Sequence, residues 1–101
     1  MRNRWFKLSL IEQMANIGSE VYRAIKWQKK NSSDSQKAFY RALELFELTI
    51  DDPKNRLRLK EVCRAKELFG DWYLGDSPYS LFAKDWEKYF FQFNLASRLH
   101  T

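Results

Sequence analysis

The sequence predicts an all-α fold, an antiparallel up-down-up-down four-helix bundle. Three observations carry that prediction. Apolar residues recur in steps of three and four along four stretches, each stretch opens on a helix-capping signal, and the links between stretches are short. No strand-like alternation competes with this pattern. With 45% hydrophobic and 31% charged residues the composition is globular, and 101 residues make one domain with a real core but leave no room for a second.

The four helices are expected at about residues 9–30, 34–51, 53–74 and 78–99. Ser9 and Glu12 have the spacing of a capping box, in which each side chain satisfies a backbone N–H of the first turn. Leu10, Met14, Ile17, Val21 and Ile25 then keep one stripe toward a core. Ser33 and Gln36 repeat the box, and the next helix presents Phe39, Ala42, Leu43, Phe46 and Ile50. Asp52-Pro53 reads as an N-cap followed by proline at the first helical position, where its missing N–H costs nothing. The apolar face there is Val62, Ala65, Phe69, Trp72 and Tyr73, with Gly75 as terminator. Ser77-Pro78 repeats the cap-and-proline signal before Phe82, Trp86, Tyr89, Phe90, Phe93 and Ala96. Gly18 falls on the core stripe of the first helix, where it predicts close approach of a neighbouring helix.

The chain holds one histidine, His100, and one cysteine, Cys63, so neither a transition-metal site nor an intramolecular disulfide is expected. No glycine-rich phosphate loop occurs, and the acidic pairs fall at helix ends where capping explains them. The expectation is therefore a non-enzymatic protein without cofactors. The N-terminal stretch is basic but lacks the apolar run of a secretion signal, and no apolar segment approaches the ~18 residues of a membrane span. A cytoplasmic location without membrane contact follows as an expectation.

Three surfaces remain for function. On a helical wheel Gln13, Asn16, Glu20, Arg23 and Trp27 form a polar track away from the apolar stripe, ending in a large ring that needs cover from a partner or from the N-terminal arm with Trp5 and Phe6. The last helix carries a second apolar line, Leu81, Phe91, Leu95 and Leu99, which predicts self-association or a protein partner. Net charge is +5. The bundle topology gathers Arg2, Arg4, Lys7, Lys54, Arg56, Arg58, Lys60 and Arg98 at one pole, and Arg56, Lys60 and Arg64 fall at i, i+4 and i+8, a track suited to the phosphates of RNA or single-stranded DNA. Arg58 sits in the apolar sector of that wheel and must pair with a carboxylate or reach a partner.

The run Ala42-Leu43-Glu44-Leu45-Phe46-Glu47-Leu48-Thr49-Ile50, the following Asp52-Pro53-Lys54-Asn55-Arg56-Leu57-Arg58-Leu59-Lys60-Glu61, and Asn16-Ile17-Gly18-Ser19-Glu20-Val21 resemble small bacterial helical-bundle proteins. Among better-known small bundles, the chain is similar in size and charge to the four-helix accessory proteins of diversity-generating retroelements, oligomers that bind a reverse transcriptase and its nucleic acid. That resemblance implies a non-catalytic accessory subunit. A second resemblance, to the helical partners of minimal nucleotidyltransferases, implies a protein-only binding module or an antitoxin-like subunit. The arginine that HEPN ribonucleases carry shortly before a histidine is missing, since Phe93, Asn94 and Leu95 stand at those positions before His100.

Overall fold

The structure, a computed structural model, describes residues 2–75 and 83–99, and every regular element among them is helical. These are α1 (Arg2–Trp5), α2 (Leu10–Trp27), α3 (Ser32–Asp51), a 3-10 helix (Pro53–Arg58), α4 (Leu59–Tyr73) and α5 (Ala83–Leu99).

The capping box at Ser9 forms: its hydroxyl accepts from the N–H of Glu12 at 3.2 Å, and the Glu12 carboxylate accepts from the N–H of Ser9 at 3.0 Å. The second box does not. Asn31 caps α3 instead, its side chain accepting from the N–H of Asp34 at 3.2 Å. The tight turn that bonds the Asn31 N–H to the Trp27 carbonyl at 2.8 Å already delivers the chain to a capping conformation there, so Ser33 lies inside the helix. Gly75 ends α4 at a φ of +81°, the conformation that favours glycine. The Ser77-Pro78 signal and Phe82 lie outside the described residues.

The third stretch departs from expectation. Asp52 caps it by accepting the Lys54 N–H at 3.1 Å, but the chain then winds as a 3-10 helix before α4 starts at Leu59. The tighter winding, with the Asn55 N–H on the Asp52 carbonyl at 3.1 Å, turns Asn55 inward, where its amide bonds Gln13 and Thr49. It also changes the phase of the helical wheel. Arg58 leaves the apolar sector and pairs with Glu61 at 2.6 Å in solvent.

The predicted apolar stripes become the core. Met14, Ile17 and Val21 of α2, Phe39, Ala42 and Phe46 of α3, Val62, Ala65 and Phe69 of α4, and Trp86, Phe90 and Phe93 of α5 are all buried. Gln13 meets Asp52 while Ala24 meets Ser35, so α2 and α3 run in opposite directions. Phe39 stacks on Tyr73 at 4.0 Å and Lys66 pairs with Glu47, which makes α3 and α4 opposed as well. Across α4 and α5, Trp86 sets its edge on Phe69 at 5.5 Å and the Tyr89 hydroxyl reaches Glu61. The buried Ser35 hydroxyl ties three helices together. It donates to the Ala24 carbonyl at 2.6 Å, near the end of α2, which leaves Tyr73 to donate to Ser35, also at 2.6 Å.

Gly18 lets α5 approach α2: a Cβ there would sit 2.8 Å from Cβ of Phe90, an atom next to the backbone that cannot swing away. Gly18→Ala should therefore destabilise the protein by about 1–2 kcal/mol in urea unfolding, because overpacking outweighs the better helix propensity of alanine. A variant as stable as the wild type would mean that α2 and α5 are further apart.

Candidate nucleic-acid interface

The basic end is assembled by a buried polar network. Trp5, at the end of α1, is buried, and its indole N–H donates to the Thr49 hydroxyl at 3.0 Å. Its carbonyl accepts from the Gln13 side-chain amide at 3.0 Å, and the same amide donates to the Asp52 carboxylate at 2.8 Å. The Gln13 carbonyl accepts from Asn55 at 2.8 Å, and Asn55 also donates to the Thr49 backbone carbonyl at 2.9 Å. Thr49 in turn donates to the Leu45 carbonyl at 2.8 Å. Gln13, Thr49, Asp52 and Asn55 are each at most 4% exposed, and this complete pairing is what makes their burial affordable.

Burial of Asp52 opposes its charge, but the Lys54 ammonium, the Gln13 amide and the Lys54 N–H outweigh that penalty and hold its carboxyl below the usual range. Lys54 pairs with Asp52 and also donates to the Phe6 carbonyl at 2.9 Å. The arm is thus pinned from both sides. Arg2 lies 3.7 Å from Asp51 and over the Phe6 ring at 5.4 Å.

This pinning brings Arg2, Arg4 and Lys7 beside the 3-10 helix with Lys54 and Arg56. Lys60 and Arg64 continue along α4. Among the described residues Arg4, Lys7, Arg56, Lys60 and Arg64 are exposed and make no ion pair, whereas Arg2, Lys54 and Arg58 do, and Arg98 has an interaction of its own. The expected straight track of Arg56, Lys60 and Arg64 is corrected: Arg56 belongs to the 3-10 helix, where the helical-wheel spacing of an α-helix does not hold, so only Lys60 and Arg64 share a helical face.

The polar track on α2 is corrected too. Gln13 is fully buried because it is the hub of the network, although its wheel position is shared with polar residues. Asn16 is exposed and bonds the Glu12 carbonyl at 2.8 Å, and Glu20 holds Arg23 at 2.6 Å. The N-terminal arm buries Trp5 at the opposite end of α2 and does not cover Trp27, which is 36% exposed.

Trp27 instead lines an open cleft of about 550 Å³ between α2 and α5, with Tyr22, Arg23 and Lys26 on one wall and Phe91 and Asn94 on the other. Tyr22 falls outside the polar track and the apolar stripe that the helical wheel of α2 defines. The signal was there, since it precedes Lys26 by one turn and sits beside the apolar stripe. Further along α5, Leu95 and Leu99 are exposed as that second apolar line predicts, while Leu81 lies outside the described residues.

A smaller cleft of about 270 Å³ opens between α4 and α5, bounded by Glu61, Arg64, Leu68, Trp86 and Tyr89. Burial and the Glu61 charge push the Tyr89 phenol up to about 12, so it stays protonated and donates to Glu61 at 3.5 Å. Trp86, shared by both clefts, has an indole N–H buried without an acceptor among the described residues. Among those residues no His, Cys, Asp and Glu cluster could hold a metal ion, and no helix is long and apolar enough to cross a membrane. Comparison with protein-family models, curated proteins and solved structures finds no significant match.

Proposed function

We propose that this chain is a non-catalytic, cytoplasmic accessory subunit of a complex that handles RNA or single-stranded DNA, built as an up-down-up-down four-helix bundle whose basic end contacts phosphates. One observation carries the reading: five exposed cations, Arg4 and Lys7 on the N-terminal arm, Arg56 on the 3-10 helix to which Lys54 ties that arm, and Lys60 and Arg64 on α4, which continues from it, have no carboxylate partner among the described residues. Like charges held together repel one another, and a polyanion relieves that repulsion while releasing its own counterions. Lys60 and its neighbours also stand at the start of α4, where positive charge opposes the helix dipole, so helix stability does not account for them. The exposed Leu95 and Leu99 are the face we assign to the protein component or to a second copy of the chain.

Fluorescence anisotropy with a labelled single strand tests this. Affinity should fall as salt rises, and changing Arg56 and Lys60 to Gln should weaken binding and flatten the slope of log affinity against log salt by about 0.7–1 per lost contact. Binding that is undetectable near ~50 mM salt, a regime that favours such charge contacts, would end the nucleic-acid reading. The exposed leucines of α5 would then favour a protein-only binding module.

A further inference from the structure

The cleft between α2 and α5 is built differently from the basic end. Tyr22 and Trp27 on one helix and Phe91 on the other, far apart in sequence, all line it, and their exposures of 51%, 36% and 60% leave much of each ring open to solvent. Cations surround these rings. Lys26 lies within 6.0 Å of both the Tyr22 and the Trp27 rings, Arg23 lines the same wall, and Lys29 and Lys30 follow in the exposed turn after α2. Glu20 neutralises Arg23, but among the described residues Lys26, Lys29 and Lys30 make no ion pair and Glu87 is the only carboxylate that lines the cleft.

We infer that this cleft receives the bases of a single-stranded nucleic acid, stacked on Tyr22, Trp27 and Phe91, with Lys26 and the lysines beyond it drawing in the backbone. The inference rests on the reading of the basic end as a phosphate-binding surface. Exposed rings set among unpaired cations are the arrangement that holds unpaired bases, because every base has a face to stack and every nucleotide a charge to neutralise. A cleft of about 550 Å³ has room for flat ligands of this size. Two other occupants fit less well. A second copy of the chain would bring its own cations against Lys26, Lys29 and Lys30 at a net charge of +5. An amphipathic protein helix needs a continuous apolar trough, whereas Arg23, Lys26, Ser19 and Asn94 interrupt the rings along both walls.

The test compares two labelled DNA strands of about fifteen nucleotides, near the upper site size of a single-strand groove: oligothymidylate and an abasic strand of equal length and charge. Oligothymidylate should bind about tenfold or more tightly than the abasic strand, as stacking on one ring predicts. Tyr22→Ala and Phe91→Ala should remove most of that excess and leave abasic binding unchanged, while Tyr22→Phe, which keeps a ring, should retain it. Both positions are exposed, and circular dichroism checks that each variant folds. Equal binding of the two strands overturns the base site but leaves the phosphate reading standing, and failure of both strands to bind overturns both. An excess that survives in the alanine variants places the bases elsewhere and overturns the inference. Self-association in light scattering that Phe91→Ala abolishes would assign the cleft to a second copy and overturn it too.

Discussion

Phe46→Ala should lower the unfolding free energy by about 3–5 kcal/mol, the largest loss expected of any single change in this chain. Phe46 is fully buried on α3, and its ring lies 6.5 Å from that of Phe69 on α4 and 6.4 Å from that of Phe90 on α5. A cavity opened where three helices meet cannot be closed by moving one of them, so little of the lost contact is recovered. Phe69 is itself wedged against Trp86, Phe39 and Tyr73, which limits its freedom to fill the gap. Urea unfolding followed by circular dichroism measures the loss. A change below about 1 kcal/mol would fall outside the range of buried aromatic deletions and would mean that the centre of the core is not built around this ring.

Gln13→Leu should cost about 2–4 kcal/mol although leucine is more hydrophobic and similar in size, because it strips a partner from three buried polar groups at once. The Trp5 carbonyl loses the bond that pins the arm, the Asn55 amide keeps only Thr49, and the Asp52 carboxylate keeps Lys54. The effect depends on pH. Asp52 has its pKa lowered in the folded protein from an ordinary value of 3.8, so its ionised form contributes stability above that value, and the contribution is lost as pH falls through the folded pKa. Removing the Gln13 bond removes part of the lowering. The stability gap between wild type and variant should therefore be full near neutral pH and narrow below about pH 4. A gap that stays constant from neutral to acid would separate Gln13 from the Asp52 charge.

The basic end depends on the same network, since the Trp5 carbonyl and the Lys54 ammonium hold the arm that carries Arg4 and Lys7. Gln13 could not be read from the sequence as part of it. Its wheel position is shared with Asn16 and Glu20, which are polar and lie toward solvent or its edge, and one-dimensional periodicity has no means of separating a polar residue that is solvated from one that is fully paired inside. Asn55 was equally hidden, because whether a proline-led segment winds as an α-helix or a 3-10 helix turns on whether an inward partner awaits its side chain.

What the sequence determined by itself were the local features: the cap at Ser9, the stop at Gly75, and the apolar stripes from Met14 to Phe93 that became the core. These depend on neighbours three or four residues away and on the cost of exposing apolar surface, both of which are written along the chain. Tertiary structure alone decided which polar groups are interior and which exposed residues stand together. Gln13 meets Asn55 at a sequence separation of 42, and Tyr22 shares a cleft with Phe91, only because antiparallel packing brings remote segments into contact. The energy of a buried hydrogen bond is realised only when its partner arrives, and no local pattern records that arrival.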